Sequence, residues 1–169
     1  MSKDLEFRSE LPATVEEVFA LRTGQRWVDL KAEKLQDGSK LVRRDERPDG
    51  GVDFAVSREL PSSVPGFLEK FLPKDGRAVQ NESWGAPDAA GVCHGTWTVD
   101  IPGAPAKLGG TSTLEPTASG SVQTILGTAK VSVPIIGGKA EQFIIDMTKK
   151  LMGREAELMV ETLSGGRSA

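Results

Sequence analysis

The chain has 169 residues, 38% of them hydrophobic and 27% charged, which fits one soluble globular domain with one core over 1–165 and a disordered tail at 166–169. With 21 Lys and Arg against 24 Asp and Glu, the net charge of -3 argues against a nucleic-acid partner, which needs a basic face. The lone Cys93 excludes an intramolecular disulfide and a cysteine zinc site, and the lone His94 leaves a histidine metal site without ligands.

Met1-Ser2-Lys3-Asp4 runs directly into alternating charge, so no secretory signal is expected. No apolar run approaches the roughly 20 residues of a membrane span, so stable membrane insertion is not expected. These features place the protein in the cytoplasm.

Leu5, Phe7, Ser9 and Leu11 alternate with charged residues, the period of a half-buried strand that Pro12 ends. Thr14 and Glu17 form a capping-box pair ahead of a short helix with Val15, Val18 and Phe19 on its apolar side. Thr23-Gly24 breaks that helix, and Gln25 to Leu35 reads as a second one. Leu41–Arg47 and Val52–Leu60 flank Pro48-Asp49-Gly50-Gly51, a hairpin signal. The basic cluster Lys40, Arg43, Arg44 and Arg47 alternates with Asp45 and Glu46, as on a solvated strand face.

Between Ser62 and Pro73, Val64, Phe67, Leu68 and Phe71 fall at helical spacing. We read a short helix that is a lid over a pocket mouth or a plain packing element, with membrane contact the lesser alternative. Arg77–Trp84 and Val92–Ile101 are the next strands; Lys107–Glu115 and Val122–Val133 form a last hairpin. Adjacent strand residues face opposite ways, so Cys93 goes inward with Trp97 and Val99 while His94 goes outward, which argues against a Cys–His pair. Gly137-Gly138 opens a final helix, about Lys139 to Leu163, whose apolar arc is wide enough for contact on several sides.

The order is strand, two short helices, about six strands and one long helix, an α+β arrangement. With Leu60-Pro61 through Val64-Pro65-Gly66-Phe67-Leu68, Glu82-Ser83-Trp84, Ile101-Pro102-Gly103-Ala104-Pro105, Leu114-Glu115-Pro116-Thr117 and Val133-Pro134-Ile135-Ile136-Gly137-Gly138-Lys139-Ala140-Glu141, it resembles the START-like, or Bet v 1-like (SRPBCC), superfamily. The likeness is to a bacterial branch of that superfamily whose function is not assigned. It implies the helix-grip fold, a curved antiparallel sheet wrapped around the long C-terminal helix, and an apolar small molecule as partner.

The candidate binding residues follow from strand parity and the helix arc. Phe54, Val56, Trp97, Val99, Ile125, Gly127, Ala129 and Val131 come from the sheet, and Phe143, Met147, Thr148, Leu151 and Glu155 from the helix. Gly127 and Ala129 are small where large residues would fill a hollow, though close approach of the helix explains them too. Glu155 recurs with Thr148 and Thr162 at sevens inside the apolar arc. It meets a ligand hydroxyl or amine there, or else lies in a solvated groove between two faces, with Arg154 at the arc's edge able to pair with a sheet carboxylate. No cofactor is expected: the phosphate loop Gly-x-x-x-x-Gly-Lys-Ser/Thr is absent, and Glu141 reads as a complement to the helix dipole.

Three functions fit. The first is a non-enzymatic carrier or sensor of a lipid, polyketide-like or other hydrophobic molecule. The second is a cyclase or dehydratase using an inward carboxylate. The third is a protein-interaction module with a filled interior and an exposed apolar patch.

Overall fold

The computed structural model describes residues 2–61, 63–72 and 76–165. The expected tail at 166–169, and Ser62 and Pro73 at the ends of the lid segment, lie outside the described residues.

Strand β1 (Lys3–Leu11) carries the alternation that the sequence announces: Leu5 and Leu11 are buried between exposed charged residues. Thr14 caps α1 (Val15–Arg22), its Oγ1 accepting the Glu17 N–H at 3.2 Å, and Val15, Val18 and Leu21 are buried along one side. The expected second helix divides. It is α-helical as α2 (Gln25–Leu30) and then widens into a π-helical turn over Lys31–Leu35, closed by Gln36 in the left-handed region.

The strands β2 (Lys40–Glu46), β3 (Val52–Glu59), β4 (Arg77–Trp84), β5 (Cys93–Asp100), β6 (Ala106–Thr117) and β7 (Gly120–Val131) follow, with the one-turn helix α3 (Gly66–Glu69) between β3 and β4. All pairings are antiparallel, and the order β1-β7-β6-β5-β4-β3-β2 puts the first strand beside the last. Helix α4 (Gly137–Gly165) has 29 residues and so spans about 44 Å across the concave face. Among the described residues, no helix is long and apolar enough to cross a membrane.

Most of the basic cluster is solvated as expected, but Arg44, opposite the inward Phe54, turns toward the helices and donates to the Thr23 carbonyl at 2.6 Å. Arg43 reaches Asp45 at 3.8 Å, Arg44 reaches Glu46 at 2.9 Å, and Arg47 pairs with Asp49 and Asp53. Glu141 does more than face the helix dipole. It is fully buried, and its Oε2 accepts the Val131 N–H at 2.9 Å, tying the start of α4 to the end of β7. Ile135, in the turn before α4, has a positive φ of 72° and is fully exposed, an unfavourable backbone conformation for a β-branched residue.

Two apolar clusters lie between sheet and helices. One gathers Val15, Val18, Trp27, Phe54, Trp84, Leu114, Leu158 and Met159 near the C-terminal end of α4. The other gathers Leu5, Ala78, Trp97, Val99, Ile125, Ala129 and Ile145 toward its N-terminal half. Where they meet, the inner face of the sheet is polar.

Candidate functional site

The polar band is built by strand parity. Gln80 and Glu82 share the inner face of β4 with Ala78 and Trp84, and Arg58 follows Phe54 and Val56 on β3. Ser112 on β6 and Gln123 on β7 carry it across the sheet, and Ser9 of β1 lies opposite Gln123. Above it, α4 turns Thr148 and Glu155 downward, α1 supplies Arg22 from its last turn, and the π-helical turn supplies Lys31.

These groups are largely paired. Arg22 Nε donates to Glu82 Oε1 at 3.2 Å, both side chains at most one-tenth exposed. The same oxygen accepts Trp84 Nε1 at 2.9 Å, and the Arg22 guanidinium lies 5.8 Å from the Trp84 ring centre. Gln80 Nε2 donates to Glu82 Oε2 at 2.9 Å, which turns Gln80 Oε1 toward Arg58 Nη1, 2.6 Å away. Lys31 Nζ meets Glu155 Oε1 at 3.4 Å and sits 5.9 Å from the Trp27 ring centre. Among the described residues, the buried Gln123 Nε2 finds no acceptor.

Two small voids adjoin this network. The larger, about 20 Å³, is bounded by Arg22, Arg58, Gln80, Trp97, Val99 and Ser112, by Ile125, and by Thr148, Leu151, Met152 and Glu155 of α4. The smaller, about 10 Å³, lies among Phe7, Ser9, Trp27, Gln123, Ala156 and Met159 and shares Arg22, Ile125, Met152 and Glu155 with the first. The larger holds about one water molecule; ligand pockets run to several hundred Å³.

Of the thirteen candidate binding residues, six meet around the larger void: Trp97, Val99, Ile125, Thr148, Leu151 and Glu155. The others lie elsewhere. Phe54 and Val56 pack in the cluster around Trp27 and Trp84. Val131 and Phe143 join Leu68 and Ala140 in a third small cluster. Met147 is half-buried and borders neither void.

The reading of Gly127 and Ala129 as walls of a hollow is corrected. A Cβ on Gly127 would stand 2.6 Å from Trp97 Cζ2, so the glycine makes room for the indole. Trp97 Nε1 points at the Leu126 and Thr111 carbonyls at 3.2 and 3.3 Å, and Ala129 is covered in the same cluster. Of the lid segment, Val64, Phe67, Leu68 and Phe71 border neither of these two voids. Leu68 packs against Val131 and Ala140, while Phe67 stays 36% exposed.

Arg154 points away, donating to the Leu35 carbonyl at 3.2 Å from an exposed position. Cys93 is buried, and that burial, with Glu16 and Asp88 adding their negative charge, pushes its thiol up to about 11. His94 is outside, paired with Asp88 at 3.1 Å, so Cys93 and His94 do not form a pair. The Asp88 carboxyl is held below 3.8 first by the Val92 N–H and then by His94.

The sequence reading missed Arg22, Lys31, Arg58, Gln80, Ser112, Glu82 and Gln123. Parity carried a signal for Arg58 and Glu82, each two residues from an aromatic or aliphatic core residue on its own strand. Arg22 and Lys31 carried none, because a basic residue at the end of a helix is ordinary.

A curved antiparallel sheet gripping one long helix, with short helices after the first strand, is the helix-grip fold of START-like and Bet v 1-like proteins. Residues 6–163 match a family described as protein of unknown function (DUF2505), and the chain belongs to that family. It is 29% identical over 152 residues to the uncharacterized protein Rv0481c of Mycobacterium tuberculosis, covering 85% of this chain and 87% of that one. A structure of TTHA0849 from Thermus thermophilus superposes with a TM-score of 0.62 at 15% identity, covering 99% of each chain. Norcoclaurine synthase from Thalictrum flavum, in complex with dopamine and hydroxybenzaldehyde, superposes with a TM-score of 0.58 at 15% identity, covering 100% of this chain and 90% of that one.

Proposed function

We propose that the protein binds a small molecule between the concave face of the sheet and α4, and that it carries or senses this molecule. The observation that carries the reading is the polar band. Arg22, Lys31, Glu82, Ser112 and Gln123 are all at least nine-tenths buried in the region of the two voids. Buried ion pairs of this kind rarely improve stability over an apolar core. A concentration of such groups breaks the core pattern, and functional sites are where proteins make such breaks. The norcoclaurine synthase complex supports the reading, since that protein of the same fold holds small aromatic molecules.

The ligand is amphipathic rather than wholly apolar. Trp97, Val99, Ile125, Leu151 and Met152 receive its hydrophobic part, and the band orients the rest. Because the voids are small, entry moves Met152 and its stretch of α4 away from the sheet. A second reading is a cyclase or dehydratase with Glu155 as acid or base, favoured by the position of Glu155 on both voids. The interaction-module reading has less support. Of the exposed large apolar residues Val42, Phe67, Leu126 and Ile135, the pair Val42 and Leu126 stand on β2 and β7, strands with four others between them, and so do not share a patch.

The test is native mass spectrometry of freshly purified protein, then denaturing extraction. A stoichiometric co-purifying molecule supports the reading. An empty protein that also fails to bind a panel of lipophilic and amphipathic probes refutes it.

A further inference from the structure

We infer that the interior ligand ends in a carboxylate and that Arg58 receives it; the inference rests on the binding reading above. Three cationic side chains, Arg22, Lys31 and Arg58, belong to the band, against two carboxylates, Glu82 and Glu155. Arg22 is matched by Glu82 and Lys31 by Glu155. Among the described residues, Arg58 has no carboxylate within ion-pair distance, and its one hydrogen bond is to neutral Gln80.

The geometry at Arg58 is specific. Gln80 is held by Glu82, so its carbonyl oxygen occupies Nη1 and leaves the edge formed by Nε and Nη2 without a protein partner among the described residues. That edge is one of the two faces of a guanidinium that take a carboxylate through parallel hydrogen bonds. Arg58 is half-buried and borders the larger void beside Val99, Leu151 and Trp97, so a charged head and an apolar body find partners in one place.

The charge count also separates a monocarboxylate from a phosphate. One unmatched guanidinium neutralises one negative charge, and Arg22 and Lys31, already matched by Glu82 and Glu155, leave no cation for a second.

The experiment uses isothermal titration calorimetry on the full chain with two matched pairs: decanoate against 1-decanol, and 4-phenylbutyrate against 4-phenylbutanol. The expected result is that at least one acid binds about tenfold or more tightly than its alcohol. In R58Q the acid falls to the affinity of the alcohol, while the alcohol binds as before. R58K keeps the charge without the fork and retains only part of the preference, and it decides the matter if circular dichroism shows that R58Q does not fold.

Equal binding of acid and alcohol by the unaltered protein overturns the carboxylate inference and leaves interior binding standing. An acid preference that survives intact in both variants overturns the assignment to Arg58. Failure to bind any of the four probes, in a protein that also purifies empty, removes the binding reading and this inference with it.

Discussion

Trp97 packs against Gly127, its benzo edge so close that a Cβ on the glycine would stand 2.6 Å from Cζ2. A row of small residues on the inner face of a sheet has two meanings, a hollow or a seat, and here it is a seat. The indole cannot swing away freely, because Nε1 is turned to carbonyls on β6 and β7. G127A is therefore expected to destabilise the protein by about 1–3 kcal/mol in urea denaturation. The same substitution in a W97L background is expected to cost much less, and additive costs in that double-mutant cycle would contradict the seat.

Glu82 serves Arg22, Trp84 and Gln80 at once. E82A leaves a buried guanidinium uncompensated and is expected to cost about 3–5 kcal/mol. The double variant R22L/E82L removes both charges and is expected to recover most of that loss. Chemical denaturation of the three proteins checks it, and a double variant as unstable as E82A would show that the pair is not the unit.

Gly153 sits in the middle of α4 beside Met152, with nothing within 4 Å of where its Cβ would be. Neither packing nor a positive φ calls for glycine there. G153A is expected to stabilise the protein by about 0.5–1 kcal/mol, the ordinary helix penalty of glycine. Opening of α4 over the voids becomes harder in that variant. Amide exchange of residues 149–157 should slow and probe binding should weaken, whereas unchanged exchange would show that α4 does not flex at this point.

Cys93 gives a pH dependence with a definite sign. Its thiol is pushed from 9.0 to about 11 in the folded protein, so between those values the folded state holds a proton that the unfolded state has released. The contribution is complete below pH 9 and is lost as pH rises toward 11. That loss is roughly 2–3 kcal/mol. The chain contains no tyrosine to titrate in the same range. Comparison with C93A isolates the thiol: the variant should lose less stability across this window. At pH 8 the native thiol should be silent to a disulfide reagent and react once urea unfolds the chain.

The fold was legible because its signals are local. Alternation in Leu5 to Leu11, the Pro48–Gly51 turn and the Thr14 cap each act within a few residues, and their order matches a known architecture. The site was legible only in part. Glu155 stood out because a carboxylate inside an apolar arc breaks a pattern, and it does border both voids. Its partner Lys31 did not stand out. It lies inward at the start of a π-helical turn, 124 positions earlier in the chain, and widening of that kind has no marker in Lys31-Ala32-Glu33-Lys34-Leu35. Gly127 misled for a related reason: what fills the space beside a small residue depends on a side chain two strands away.

The sheet does not close on itself: β1 and β2 stand at opposite ends of the strand order. An open end offers unsatisfied backbone groups to any passing extended chain, the route by which sheet proteins join into fibres. At β2 the register slips between Leu41 and Arg43, and Lys40, Arg43, Arg44, Asp45 and Glu46 crowd charge along the strand. A second molecule adding there would meet an interrupted ladder and bury charge. This border is thus poorly suited to receiving a strand from a second copy.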